Sequence, residues 1–149
     1  MNLYRVVLAD DHAPFRQVVK MVLSEKPGIE VIGEADDGFQ LLSLLDRFSP
    51  NMVILDISMP NIGGIEATRQ IKKSNPDIKV LILTMHRDRE YLDRALSANA
   101  EGYLLKEDDI TNELFSAIEV IRKGGFFVSP LLRKRTGEEA CGINPKRPI

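Results

Sequence analysis

Three apolar blocks constrain this 149-residue chain more than any other feature: Val6-Val7-Leu8-Ala9, Met52-Val53-Ile54-Leu55 and Val80-Leu81-Ile82-Leu83. Each is continuous rather than alternating, the pattern of a strand covered on both faces, and hence of a parallel sheet. Each also runs directly into a polar residue: Asp10, Asp56 and Thr84. Weaker strand signals lie at Ile29 to Ala35 and Gly102 to Leu105. Between the strands the apolar spacing turns helical. Phe15, Val18, Val19, Val22 and Leu23 form one face, and Leu41, Leu42, Leu44, Leu45 and Phe48 a second. Ile65, Thr68 and Ile71 form a third, Tyr91, Leu92, Ala95 and Leu96 a fourth, and Leu114, Ala117, Ile118 and Ile121 a fifth. Pro27-Gly28, Ser49-Pro50, Gly63-Gly64 and Asn75-Pro76 punctuate the series. Strict strand–helix alternation predicts an α/β fold, and five units are too few for the eight-stranded barrel. An open, doubly wound, five-stranded parallel sheet follows, with right-handed crossovers and helices on both faces.

The alternation ends near Gly124-Gly125, so residues 1–125 read as one domain. Residues 126–149 read as a linker or partly disordered tail, although Phe126-Phe127-Val128 can still pack on the domain. A net charge of −2 gives no bulk attraction to nucleic acid or to an anionic membrane. The lone Cys141 makes no internal disulfide and no cysteine zinc cluster. No apolar run approaches the roughly 18 residues that span a bilayer, and the N-terminus has no signal-peptide pattern. A soluble cytoplasmic protein with no membrane partner is expected.

Ligands of open α/β sheets bind beyond the carboxyl ends of the strands. Those ends carry Asp10-Asp11, Asp36-Asp37, Asp56, Thr84 and Lys106. A dinucleotide or P-loop site needs glycines and free backbone N–H groups after the first strand. Here the turn is Ala9-Asp10-Asp11-His12, whose carboxylates repel a bare phosphate. Asp36-Asp37 before Gly38 reads as a helix cap, and Asp108 or Asp109 as the cap of the last helix. Asp10, Asp11 and Asp56 would meet if the first and third strands are neighbours. Clustered carboxylates call for a hard divalent cation such as Mg²⁺. With the Lys106 ammonium and the Thr84 hydroxyl, that set suits phosphoryl transfer, where the protein positions groups and neutralises charge.

In this arrangement residues 3 to 125 resemble the receiver domain of two-component response regulators. The resemblance rests on Asp10-Asp11, on Asp56 within Leu55-Asp56-Ile57-Ser58-Met59-Pro60, and on Gly63-Gly64, Thr84 and Lys106. It implies the flavodoxin-like, CheY-like strand order 2-1-3-4-5. It also implies Asp56 as acceptor of a phosphoryl group from a sensor histidine kinase. Asp11, Asp56 and the backbone carbonyl of Ser58 would ligate Mg²⁺, with Asp10 contributing through a metal-bound water. Lys106 would pair with the acceptor carboxylate and then with the phosphoryl oxygens. Thr84 and Tyr103 would form the switch pair, acting on the face of the fourth helix, fifth strand and fifth helix, a dimerisation surface in relatives. Beyond self-catalysed transfer and autodephosphorylation, no enzyme activity is implied.

His12, Pro14, Arg16, Gly102-Tyr103-Leu104-Leu105-Lys106 and Ser129-Pro130 resemble the subfamily with LuxR-type helix-turn-helix output domains, the NarL and FixJ group. His12 and His86 read as surface residues, and Arg133-Lys134-Arg135 as a solvated run. Glu107 stands where many receivers have proline, and bulky Met85 follows Thr84, where it could slow the approach of water to a phosphorylated Asp56. The 24 residues after Gly125 hold no helix-turn-helix pattern. The chain is therefore expected to be either a truncated transcription regulator or a stand-alone receiver, with DNA bound only through an output domain missing from it. A Mg²⁺-dependent phosphatase of the haloacid-dehalogenase type is the enzyme rival. It wants an aspartate two residues after the nucleophile, where this chain has Ser58.

Overall fold

In the computed structural model, which describes residues 3–136, strands and helices alternate throughout. They are β1 (Tyr4–Ala9), α1 (Ala13–Ser24), β2 (Ile29–Ala35), α2 (Gly38–Arg47), β3 (Met52–Leu55) and α3 (Gly64–Ser74). There follow β4 (Lys79–Thr84), α4 (Arg89–Ser97), β5 (Gly102–Leu105), α5 (Ile110–Arg122), β6 (Phe127–Val128) and α6 (Pro130–Thr136). The sheet order is β2-β1-β3-β4-β5-β6 and every pairing is parallel. This is the CheY-like fold expected, with one addition. The two-residue β6, from the segment assigned to the tail, pairs with β5 through Gly102 with Phe127 and Tyr103 with Val128. Phe126, Phe127, Val128 and Leu132 are all buried, so the packed body continues past Gly125. The last thirteen residues, 137–149, lie outside the described part. Among the described residues, no helix is long and apolar enough to cross a membrane.

Because strand side chains alternate, each apolar block feeds two cores. Val7, Val53, Val80 and Ile82 face a core shared with Leu41, Ile65, Ile71 and Leu92 of α2, α3 and α4. Val6, Leu8, Met52, Ile54, Leu81 and Leu83 face the other, with Val19 and Leu23 of α1 and Leu114 and Ile118 of α5. Past its opening residues, such as Arg5 in β1 and Lys79 in β4, a strand buried on both sides therefore has no position for a polar residue until it ends. Two exposed residues depart from the expected apolar stripes: Val18 of α1, which is 47% exposed, and Phe48 beyond α2.

Local signals set the helix ends. Asp37 caps α2 by accepting from the backbone N–H of Gln40 at 2.8 Å, as expected. At the end of α5, Gly124 adopts φ +94°. Its N–H donates to Ile121 and that of Gly125 to Val120, the paired bonds of a Schellman cap. Gly64 is required by a close approach. A Cβ there would collide with the Asp56 carbonyl, which fixes the first turn of α3 against the end of β3.

Candidate functional site

The strand order brings the predicted residues together at the carboxyl edge of the sheet. Ala9 of β1 pairs with Leu55 of β3, and the N–H of Asp56 donates to the Ala9 carbonyl at 3.1 Å. Carboxylate oxygens of Asp10, Asp11 and Asp56 consequently lie within 4.8 Å of one another. Asp10 and Asp56 are buried and Asp11 is exposed. From the end of β5, the Lys106 ammonium donates to Asp56 Oδ2 at 3.0 Å and stands 2.7 Å from Asp10 Oδ2. It also lies 4.5 Å from the centre of the Phe15 ring. Burial works to lower the Lys106 pKa, but the bonds and charges of Asp10 and Asp56 outweigh it, so the ammonium is held above its usual range. No cis peptide occurs among the described residues, and the Lys106–Glu107 bond is therefore trans.

A second group of residues crosses the mouth of the site. The N–H of Ser58 makes a long bond of 3.4 Å to Asp56 Oδ1. Ser58 Oγ is 2.7 Å from His86 Nε2, and the His86 ring lies 4.2 Å from that of Tyr91. The His86 backbone meets both predicted switch residues. Its N–H reaches Thr84 Oγ1 at 3.4 Å, and its carbonyl accepts from the Tyr103 hydroxyl at 2.8 Å. Thr84 and Tyr103 are fully buried, and burial pushes the Tyr103 phenol pKa well up. His86 is therefore a bridge between loops rather than the simple surface residue expected. Its partner lies 28 positions away in sequence, so no local signal marks it. Met85 points outward, 57% exposed, and it is His86 that reaches across to Ser58. His12 is exposed, as expected, and its N–H donates to Asp10 Oδ1 at 2.9 Å.

Asp108 has a different task from the one its sequence position suggested. Asp109 occupies the N-cap position of α5 but makes no side-chain cap bond. Asp108 Oδ2 instead accepts from Ser129 Oγ and from the Leu131 N–H in the first turn of α6. Ser129 Oγ also accepts from the N–H of Leu105 at 3.2 Å. The buried Ser129 thereby ties the segment after β6 to the loop that carries Lys106. Arg133, read as part of a solvated run, donates from Nε to the Val128 carbonyl at 2.7 Å.

Behind the acid cluster, Arg16 and Lys20 of α1 hold Glu34 of β2 at 2.8 and 2.7 Å. Burial pushes the Glu34 carboxyl up, yet the bonds from Lys20 and Arg16 prevail and keep it below its ordinary 4.5. A depressed carboxylate adds stability that is present above its unfolded pKa and lost as pH falls through its folded value. Glu34→Gln is therefore expected to flatten the fall in urea midpoint between about pH 5 and pH 3. A Glu34→Gln profile that parallels wild type across that range would remove Glu34 from the acid-sensitive set.

Comparison with known proteins identifies the family and the fold. The response regulator receiver domain family matches residues 6–119. Transcriptional regulatory protein DegU of Brevibacillus brevis is 39% identical over 129 residues, 87% of this chain and 54% of DegU. Oxygen regulatory protein NreC of Staphylococcus carnosus is 35% identical, over 94% of this chain and 68% of NreC. The chain thus spans about half to two thirds of the length of these relatives. A LuxR-family two-component response regulator from Aurantimonas superimposes with a TM-score of 0.86 at 34% identity, over 92% of this chain and 97% of that one. Matched by the receiver family over most of its length and by these relatives, the chain belongs to the receiver domains of two-component response regulators, beside LuxR-family relatives.

Proposed function

We propose that this receiver is a phosphorylation-controlled switch in which Asp56 accepts a phosphoryl group from a phosphohistidine of a sensor kinase. The observation that carries this reading is Lys106, bonded to Asp56 and Asp10 while Asp11 completes an acid cluster within 4.8 Å. In the step proposed, an Asp56 oxygen attacks phosphorus, the P–N bond to the donor histidine breaks, and that histidine keeps the electron pair. Lys106 holds the acceptor in place and then meets the charge of the phosphoryl oxygens. Three carboxylates with oxygens this close fit a hard divalent cation. Asp11, Asp56 and the Ser58 carbonyl would hold Mg²⁺, with Asp10 joined through a water. Bound there, the ion would offset charge on the attacking carboxylate and the phosphoryl group.

The switch proper is Thr84 and Tyr103, both bonded to the His86 backbone. If Thr84 turns its hydroxyl to a phosphoryl oxygen, it gives up the His86 N–H, and Tyr103 answers through the His86 carbonyl. That bias on the α4–β5–α5 face favours a homodimer. Residues 1–125 carry the receiver's switch machinery, and the following segment, packed on it through β6, begins the connection. A transcriptional output fits the name of DegU, a transcriptional regulatory protein of which this chain spans 54%. The chain turns over no external phosphoester, since Ser58 stands where a phosphatase of the rival type needs an acid.

Incubation with acetyl phosphate and Mg²⁺, followed by intact-mass measurement, tests the proposal. Wild type should gain one phosphoryl group and Asp56→Asn none. Equal uptake by both would place the acceptor elsewhere.

A further inference from the structure

The ion pairs behind the acid cluster include one contact that their role in stability does not explain. Arg16 lies in the first turns of α1 with only 12% of its side chain exposed. Its Nε donates to Glu34 Oε1 at 2.8 Å and its Nη1 to Asp36 Oδ1 at 2.8 Å. Nη1 also donates to the backbone carbonyl of Asp10. The Asp10 N–H is taken by the Ala35 carbonyl at 3.0 Å, and its carboxylate by the His12 N–H and Lys106. Every polar group of Asp10 is thus held, and Arg16 holds the carbonyl that begins the peptide to Asp11. Asp11 is exposed, so the placement of its carboxylate follows from that peptide.

From this geometry we infer that Arg16 is a positioning residue for divalent-cation binding, setting the Asp10–Asp11 backbone so that both carboxylates converge with Asp56. The inference rests on the proposed Mg²⁺ site and adds to it a residue that touches no ligand of the ion except through the Asp10 backbone. By charge alone a guanidinium here is a poor choice, because it opposes a second cation nearby. Glu34 and Asp36 answer that charge directly. What remains is a planar fork able to bond three oxygens, one on β2 and two on the loops after β1 and β2, which an ammonium cannot reproduce. Groups that orient metal ligands commonly change affinity by about 10- to 100-fold when removed.

Charge and positioning predict opposite signs, which makes the test decisive. Mg²⁺ affinity is measured by isothermal titration at a temperature where circular dichroism shows every variant folded. Arg16→Met should weaken binding about tenfold. Arg16→Lys, which keeps the charge and loses the fork, should weaken it by a similar factor. Tighter binding by Arg16→Met, or wild-type affinity in Arg16→Lys, would overturn the inference. Should Arg16→Met not fold, the charge-preserving Arg16→Lys decides the matter. Asp11→Asn separates the two levels of the argument. If it binds Mg²⁺ as wild type does, or wild type binds none, the metal-site reading fails and takes the role of Arg16 with it. Loss of binding in Asp11→Asn beside unchanged binding in both Arg16 variants rejects the positioning role alone.

Discussion

Asp56→Asn is expected to abolish phosphoryl uptake while raising the stability of the metal-free protein by about 1–2 kcal/mol. The stability gain follows from the crowding that makes the site useful. At an effective dielectric near 20, two carboxylates 4.8 Å apart repel by roughly 3 kcal/mol. Against this stands the attraction of Lys106, 3.0 Å from Asp56 and roughly 5 kcal/mol by the same measure. The gain therefore rests also on the several kcal/mol it costs to bury the ionised carboxylate. The neutral amide removes the repulsion from Asp10 and the weaker one from exposed Asp11. It also avoids the burial of an ionised group. Lys106 keeps its 2.7 Å partner in Asp10, so the ammonium is not left alone. The two variants should then respond differently to Mg²⁺. An ion at 100 times its dissociation constant stabilises the folded form by about 2.7 kcal/mol. Wild type should show that rise and Asp56→Asn much less of it. Urea melts with and without Mg²⁺ measure both effects, and lower metal-free stability in Asp56→Asn would contradict the strain argument.

The parts legible from sequence share one cause. A strand buried on both faces must be apolar throughout, so the residue that ends it stands out. Asp10, Asp56 and Thr84 are conspicuous for that reason, and the meeting of Asp10 with Asp56 needed only the strand order. Lys106 was readable in the same way at the end of Leu104-Leu105. The parts that escaped involve pairings between distant loops. β6 is two residues long, too short for any periodicity, and exists because β5 leaves an edge that Phe127 and Val128 can join. Asp108 has the sequence position of a cap, yet tertiary structure brings it Ser129 and Leu131, which claim the same oxygen. His86 follows Thr84 closely, but its value lies in Ser58, beyond β3, and in Tyr103, within β5. Arg16 gave only a familial hint. Its meaning depends on Asp10 turning its carbonyl toward α1, a feature of backbone direction that composition does not encode.

Lys106→Met is expected to slow phosphoryl uptake from acetyl phosphate by about 10²- to 10³-fold, the scale of losing one buried charge-stabilising donor. Methionine keeps most of the aliphatic stem, so the missing ammonium dominates, including its contact over the Phe15 ring. The same change leaves two buried carboxylates without their shared cation, a loss of about 3 kcal/mol when one partner of a buried pair is removed. In wild type, the raised Lys106 pKa gives stability that is fully present below the unfolded value of 10.5 and lost as pH rises through the folded value. Lys106→Met should lose that alkaline dependence. The ammonium and a divalent cation also compete for Asp56 and Asp10, because each offsets the same negative charge. Mg²⁺ should therefore bind Lys106→Met more tightly than wild type and restore more of its stability, yet leave phosphoryl uptake slow. Stability tracks only the total positive charge in the cluster, and an ion can supply that. Catalysis needs a donor fixed at 3.0 Å from the acceptor oxygen by its own side chain, and a free second cation does not take that place. Uptake restored to the wild-type rate by Mg²⁺ alone would show that Lys106 serves as a counter-charge and nothing more.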